Sequence, residues 1–171
     1  FAAALPRFAE SFRTILVDQP GFGGSAKPAV VGNYYRHAAD HVIGLLDELG
    51  IEKAHVLGNS LGGGTAMRLA LSHPDRVDRL VLMGPGGLSL NLFHADPTEG
   101  VQRLMDFGAN PTREALRAFI STMVVNQKLV TDELVEERFA DATAPGAREA
   151  MASMGMSFWN PEFAEDGMLW R

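Results

Sequence analysis

The stretch "VLGNSLGGGTA", residues 56–66, decides the fold of this chain, because it sets one serine inside a glycine-rich turn. A short apolar run, "AHVLG" at 54–58, precedes the turn and predicts a strand. The segment "TAMRLALSHP" at 65–74 follows it and predicts a helix that ends at its proline. The serine, Ser60, therefore stands where a strand passes directly into a helix.

Residues 58–62 fit the pattern G-x-S-x-G, and a strand before it and a helix after it are the context that a nucleophile elbow requires. Small residues two before and two after the serine let the backbone fold tightly around it. We predict that Ser60 is a nucleophile lifted above the strand end. We also predict that the N–H of Leu61, at the positive end of the helix, stabilises an oxyanion.

Other readings of the glycines are weaker. A phosphate-binding loop needs a lysine after its glycines, and none follows here. A dinucleotide-binding fingerprint needs a glycine where Ser60 stands. An incidental serine in a glycine-rich loop is the remaining alternative, and the strand and helix on either side argue against it.

Strands alternate with helices in the first half of the chain. "FRTILV" at 12–17 and "RLVLMG" at 79–84 predict two more strands, and residues 34–50 have the apolar spacing of a helix that stops at Gly50. Continuous apolar strands are typical of a parallel sheet buried on both faces. The pattern predicts an α/β fold with a mostly parallel, doubly wound sheet.

The second half of the chain predicts helices only. Asp96 is expected to cap the first of them, with Pro97 at its first position and Glu99 completing a capping box. Thr131 is expected to cap a later one. We therefore divide the chain into a partial α/β core at 1–94 and a helical lid at 95–171, inserted after the strand that follows the elbow.

Composition excludes several classes of protein. The 171 residues carry a net charge of −6, include no cysteine, and contain neither a long basic block nor an apolar run long enough for a membrane span. We expect a cytoplasmic protein that binds neither nucleic acid nor membrane. The chain begins on Phe1 rather than methionine and ends close to a tryptophan, so we expect a fragment truncated at both ends.

Several motifs together resemble the α/β-hydrolase superfamily: "DQPGFGGS" (18–25), "GNSLGGGTA" (58–66) and "LVLMGPGGL" (80–88). With "NLF" (91–93) and "DPTEGV" (96–101), the chain is similar more particularly to the meta-cleavage product hydrolases. Its nearest likeness is to the actinobacterial branch that acts on steroid- or biphenyl-derived dienoates.

This resemblance implies a reaction on 2-hydroxy-6-oxohexa-2,4-dienoates. The dienol is ketonised, the serine attacks the carbonyl at C6, the C5–C6 bond breaks, and water releases the acid. The resemblance implies no metal and no organic cofactor. We expect the full-length protein to be a homodimer or a higher homo-oligomer.

Two polar side chains are candidates for binding the substrate. Asn59 matches a polar position of the family and is expected either to donate to the dienoate end or simply to support the turn. Arg138 lies four residues after Leu134 and three after Val135, which places it on the apolar face of its helix. The family's carboxylate-binding arginine aligns with Arg138, and a guanidinium suits a bidentate carboxylate contact.

Further positions come from the resemblance alone. Val101, Leu104 and Met123 match positions that line the apolar part of the family's site, although such a stripe is more often plain packing. Gly86 is expected to leave backbone room near the substrate. His94, at the entrance to the lid, is expected to be a solvated surface residue.

The catalytic base and acid are expected outside this chain. In the superfamily the order is serine, then Asp or Glu, then histidine, so both would follow residue 171, and the second oxyanion donor would precede residue 1. None of the chain's histidines fits the base position: His37, His41, His55, His73 and His94. We expect residues 1–171 alone to be catalytically inactive and poorly stable.

Two other functions remain open at this point. An ester or lactone hydrolase would use the same elbow, because a fold does not fix its substrate. A non-catalytic protein of this fold would use the pocket to bind a small acid. Arg138 discriminates the first of these, since a neutral ester has no carboxylate for it to bind.

Overall fold

The computed structural model describes residues 4–88 and 97–160, so His94 and the predicted boundary between core and lid lie outside the described residues. The helices and strands of the described part follow in chain order: α1 (Leu5–Ala9), α2 (Tyr34–Glu48), β1 (Ala54–Asn59), α3 (Leu61–Ser72), β2 (Val77–Met83), α4 (Glu99–Ala109), α5 (Arg113–Thr122), α6 (Asp132–Ala142) and α7 (Ala147–Trp159). The division at residue 94 stays a prediction.

β1, α3 and β2 form a β–α–β unit. The two strands pair in parallel, with Gly58 opposite Leu82 and Asn59 opposite Met83. Parallel neighbours need a crossover connection, and α3 supplies it. This confirms the predicted strands at 54–58 and 79–84 and the helix between them. It also brings the end of β2 beside the turn that follows β1.

α2 confirms the helix predicted over residues 34–50. The side chain of Asn33 caps it by accepting a hydrogen bond from the N–H of Tyr35 at 2.9 Å. At the other end Gly50 has a φ of +65°, the left-handed conformation in which glycine commonly ends a helix. α2 packs along α3, so its buried face lies against the helix of the elbow.

The prediction of a strand at 12–17 was wrong for the described part of the chain. These residues form neither a strand nor a helix there, and Ile15, Leu16 and Val17 are 39–49 % exposed. An apolar run becomes a strand only when a neighbour pairs with its backbone, and such a neighbour is not specified by the run itself. The expectation of a sheet buried on both faces was also wrong here, since Val81 in β2 is 50 % exposed.

The lid helices α4 to α6 confirm the predicted helical second half. Their core consists of Leu116, Ile120, Val130 and Val135. Thr131 caps α6 as predicted, its hydroxyl accepting from the N–H of Leu134 at 3.2 Å.

The start of α4 differs from its prediction. Thr98, not Asp96, holds the N-cap position, and Pro97 therefore lies before the helix. The side-chain amide of Gln102 donates to the carbonyl of Pro97 at 2.8 Å. This side-chain bond satisfies a carbonyl that an earlier helical turn would otherwise have used.

α7 leaves the lid and packs on the core. The hydroxyl of Ser153 accepts from the N–H of Val30 at 2.8 Å, and that of Ser157 accepts from the N–H of Tyr34 at 3.2 Å. Phe158 packs against a buried cluster beside α3, formed by Tyr34, Tyr35, Ala38 and Met67. The last helix of the described chain therefore connects the lid to the helix pair that carries the elbow.

Candidate active site

Ser60 sits at the junction of β1 and α3 in a strained conformation. Its φ is +49° and its ψ is −117°, and it is the one non-glycine residue with a positive φ in the described parts of the chain. Such a conformation costs about 1–3 kcal/mol and persists only where the surroundings impose it. The side chain is exposed. Strain and exposure at a strand–helix junction are what the sequence motif predicted.

Gly58 makes this turn possible. A methyl group on residue 58 would place its carbon 2.6 Å from the carbonyl carbon of Gly62 and 2.8 Å from the Cα of Gly63. Both distances lie well inside van der Waals contact, and the neighbours are backbone atoms that cannot rotate away. Gly58 is therefore required by the close approach of β1 to the first turn of α3.

Two further glycines, Gly63 and Gly64, allow close packing between elements. A Cβ on Gly63 would lie 2.7 Å from Pro85, which follows β2. A Cβ on Gly64 would lie 2.6 Å from the Cζ of Tyr35 on α2. These two glycines thus let the segment after β2 and the helix α2 approach the start of α3.

Leu61 is the first residue of α3, so its N–H has no acceptor within the helix. The N–H group belongs to the peptide that follows Ser60 and lies at the positive end of the α3 dipole. The described structure therefore leaves this N–H without an acceptor in the helix, and its role as an oxyanion donor stays a prediction.

The peptide between Ser60 and Leu61 is held through its carbonyl. The N–H of Gly64 donates to the Ser60 oxygen at 3.1 Å, and the N–H of Gly86 donates to it at 2.7 Å. Gly86 was predicted to leave room for substrate, but the room beside it is taken by Tyr35, whose hydroxyl lies 2.5 Å from where a Cβ would be. Gly86 therefore supports the elbow, a role that sequence patterns did not indicate.

Asn59 uses its amide to support the turn. Its Nδ2 donates to the carbonyl of Met83 at 3.0 Å, and the N–H of Ser60 donates to the same oxygen at 3.0 Å. These hydrogen bonds favour the predicted role of Asn59 in supporting the turn over its predicted role in binding the dienoate end. A second hydrogen on Nδ2 is still available to a ligand, because the side chain is exposed.

A side chain that the sequence did not single out lies over the elbow. Oε1 of Gln19 accepts hydrogen bonds from the hydroxyl of Thr65 at 2.8 Å and of Tyr34 at 3.4 Å, so it links α3 to α2. Its Nε2 would be 3.1 Å from a Cβ on Gly62. The "DQPGFGGS" motif was the available signal, but only the tertiary contacts show that its glutamine reaches α3.

Arg138 lies on α6 with an exposed side chain, although the sequence placed it on the apolar face. Val135 is the buried residue of this helix, and Arg138, three residues later, lies about 60° around from it. A long arginine side chain at that angle extends past the edge of the apolar face into water. It makes no hydrogen bond or ion pair with the residues that the structure describes.

Two other lid arginines have partners instead. Arg113 forms an ion pair with Glu136 and lies over the ring of Phe139, with its Cζ 4.4 Å from the ring centroid. Arg117 pairs with Asp132 and donates to the carbonyl of Val130. These contacts join α5 to α6 and to the loop before it.

The predicted wall residues of the lid are not part of its core. Val101 is half-buried, whereas Leu104 is 42 % and Met123 is 60 % exposed. An open groove of about 710 Å³ beside them is lined by polar side chains such as Thr98 and Gln127, and by none of these three. Exposed apolar side chains on a lid are compatible with a substrate wall, and that role stays a prediction.

The described histidines are engaged away from Ser60. Nδ1 of His55 lies 3.0 Å from Oδ2 of Asp78, and His73 lies 3.7 Å from Asp40. His37 and His41 stack with their ring centroids 4.4 Å apart. Burial, and then the neighbouring imidazole, lower the pKa of His37.

Neither a membrane-spanning helix nor a metal site is found in the described part of the chain. Its helices are too short or too polar to cross a bilayer. No group of three or more His, Cys, Asp or Glu side chains there is arranged to hold a metal ion.

Comparison with known proteins supports the reading of the elbow. The family model of the α/β hydrolase fold matches residues 1–161. A 2-hydroxy-6-oxo-6-phenylhexa-2,4-dienoate hydrolase of Burkholderia cepacia is 43 % identical over 138 residues, which are 80 % of this chain and 48 % of that protein. The chain thus spans about half the length of the curated relatives that it matches.

Solved structures of related hydrolases also match this chain. A mutant meta-cleavage product hydrolase from Pseudomonas fluorescens IP01, complexed with acetates, superposes with a TM-score of 0.78 at 34 % identity, over 98 % of this chain and 58 % of that one. A 2-hydroxy-6-oxo-6-phenylhexa-2,4-dienoate hydrolase from Rhodococcus sp. strain RHA1 has a TM-score of 0.79 at 30 % identity, over 98 % and 60 %.

Proposed function

The chain belongs to the α/β hydrolase fold family, and from that premise we propose that the full-length protein hydrolyses a carbon–carbon bond in 2-hydroxy-6-oxohexa-2,4-dienoates. The observation that carries the proposal is the exposed Ser60, held at a positive φ directly before the free N–H of Leu61. The names of the relatives supply the substrate class. The elbow by itself is equally suited to an ester.

In this proposal Ser60 attacks the C6 carbonyl of the ketonised substrate through its Oγ. The oxyanion that forms accepts a hydrogen bond from the N–H of Leu61, whose position at the start of α3 adds favourable potential. The C5–C6 bond then breaks, its electron pair takes up at C5 the proton that the Ser60 hydroxyl gave to a general base of the full-length protein, and an acyl group stays on Ser60. Water hydrolyses this acyl-enzyme to the acid.

Arg138 is proposed to bind the substrate carboxylate. Its guanidinium is exposed and makes no ion pair with the described residues, so it is available for a bidentate contact. Arg113 and Arg117, which are paired within the lid, are poorer candidates. Asn59 is proposed to donate to the dienoate end through its remaining amide hydrogen.

Val101, Leu104 and Met123 are proposed to line the apolar part of the site. Their partial or full exposure on the lid supports this, because a substrate would cover apolar surface that the lid itself leaves uncovered. We further propose a cytoplasmic homo-oligomer that needs no metal or organic cofactor.

The test is the loss of dienoate absorbance with the full-length protein, using biphenyl-derived, monocyclic and steroid-derived substrates. Ser60→Ala is expected to lower kcat by about 10⁴-fold or more, because the covalent route is lost. Turnover of p-nitrophenyl esters or lactones without turnover of any dienoate would establish the alternative hydrolase. Dienoate binding without Ser60-dependent turnover of either class would establish a binding protein.

The same panel tests the branch of the family. A preference for the steroid- or biphenyl-derived dienoate is expected from the actinobacterial likeness. A preference for the monocyclic compound would contradict it.

A further inference from the structure

Tyr35 is a buried residue of α2, only 4 % exposed, and it touches both sides of the elbow. Its ring fills the space over Gly64, where a Cβ would lie 2.6 Å from Cζ and 2.8 Å from Cδ1. Its hydroxyl fills the space beside Gly86. Burial raises the pKa of Tyr35 to about 12, so the hydroxyl is neutral at physiological pH.

The two glycines in contact with Tyr35 are also the two that hold the nucleophile's peptide. The N–H groups of Gly64 and Gly86 both donate to the carbonyl of Ser60. That carbonyl and the N–H of Leu61 belong to one planar trans peptide and point in opposite directions. Whatever fixes the oxygen therefore also fixes the direction of the oxyanion donor.

Tyr35 also contacts α7, the last helix of the described chain. Its ring lies 5.0 Å from that of Phe158 on α7, centroid to centroid. The neighbouring Ser157 binds the N–H of Tyr34, so two successive residues of α7 anchor the start of α2. Tyr35 thus contacts both α7 and the two glycines.

We propose that Tyr35 is a positioning residue, which orients the Leu61 N–H through Gly64 and Gly86 and links that orientation to the docking of α7. The inference rests on the proposed role of Ser60 as nucleophile. It assigns Tyr35 no contact with substrate. Displacing the Ser60 peptide should therefore lower kcat and leave KM nearly unchanged.

The test uses a clash and its relief in the full-length protein. Gly86→Ala places a methyl group against the Tyr35 hydroxyl and is expected to lower kcat by about tenfold or more, because a shift on the order of 1 Å is costly at a reacting centre. Tyr35→Phe removes the hydroxyl. The atoms that are then nearest to a Cβ on residue 86 are the Ser60 oxygen at 3.4 Å and the Cζ of residue 35 at 3.6 Å, both at ordinary contact distance.

The double variant Tyr35→Phe with Gly86→Ala is expected to recover activity, with a kcat within about threefold of that of the single variant Tyr35→Phe. Such recovery is expected because the two residues are in contact and their substitutions are therefore coupled. Gly64→Ala is the matched control, because its methyl group meets the ring rather than the hydroxyl. Tyr35→Phe should not rescue it. Equal rescue of both alanines, or of neither, would overturn the proposal.

Tyr35→Leu provides a second test if Gly86→Ala does not fold. It empties the space over both glycines and is expected to lower kcat by about tenfold with KM within about twofold. A folded Tyr35→Leu protein with unchanged kcat would overturn the proposal.

Parallel assays separate this inference from the proposed function. Ser60 acylation by p-nitrophenyl acetate is measured beside dienoate hydrolysis for every variant. Ester acylation without dienoate turnover refutes the proposed substrate while still testing Tyr35. A wild-type protein inert towards both, or acylation that survives Ser60→Ala, overturns both proposals.

Discussion

The elbow and the lid are held together by different kinds of contact. At the elbow, backbone N–H groups of Gly64 and Gly86 converge on one carbonyl, and close packing leaves no space for a Cβ. In the lid, α5 and α6 are joined by exposed ion pairs of Arg113 and Arg117 around a small apolar core.

This difference agrees with the roles that we propose for the two regions. An oxyanion donor must keep one direction to within a fraction of an ångström, and backbone contacts that are over-determined provide that rigidity. A wall for an apolar substrate needs only side chains of suitable size. Exposed ion pairs, which contribute little to stability, are sufficient to hold such a layer.

A glycine exchange in each region gives the largest expected difference. Gly58→Ala places a methyl group against the backbone of Gly62 and Gly63 and is expected to lower the free energy of unfolding by about 3 kcal/mol or more. Gly108→Ala in α4 meets no atom within 4 Å. It is expected to be neutral or to stabilise by up to about 1 kcal/mol through helix propensity. Urea unfolding of both variants checks the contrast, and equal losses would contradict it.

Substitution of Arg138 tests whether the lid contributes to recognition of the substrate carboxylate. Arg138→Gln is expected to raise KM for dienoates by about 30-fold, the loss of a charge-assisted bidentate contact. KM for a neutral p-nitrophenyl ester should stay within about twofold. Arg148→Gln, at an exposed position on α7, is the matched control. Steady-state kinetics with both substrates decide, and equal effects on them would refute the carboxylate role.

The smallest effect is expected at the caps of the lid helices. Thr131→Ala removes the acceptor for the N–H of Leu134 and is expected to cost about 1 kcal/mol. Thr98 holds the same position on α4 but makes no side-chain cap bond, so Thr98→Ala should change stability by less than about 0.5 kcal/mol. Thermal unfolding of the two variants measures the difference, and a larger loss at Thr98 would be the contrary result.

Local patterns predicted a large part of the fold. The helix over 34–50, the strands around the elbow and the cap at Thr131 each depend on spacing or on residues a few positions apart. The run at 12–17 failed because pairing of a strand depends on a distant partner. The N-cap of α4 was predicted at Asp96 but lies at Thr98, where the side chain of Gln102, one turn later, donates to the Pro97 carbonyl.

The predictions for the site also succeeded where they depend on adjacent residues and failed where they depend on tertiary structure. The strained turn at Ser60 and the helix start at Leu61 were predictable, since the strand, the small residues and the helix that place them are adjacent in sequence. Their catalytic roles stay predictions. Arg138 was placed on the wrong surface because helical spacing defines an angle, and an angle near the edge of the apolar face does not decide exposure for so long a side chain.

The sequence by itself determined where the backbone must turn sharply, and hence where we propose the nucleophile, because a glycine is needed wherever a Cβ would overlap the backbone. Only the tertiary structure decided what holds that turn. The contacts of Gly86 with Ser60, of Tyr35 with both glycines and of Gln19 with Thr65 join residues that are 26 to 51 positions apart. Such contacts exist only once β1, β2 and α2 have packed around α3.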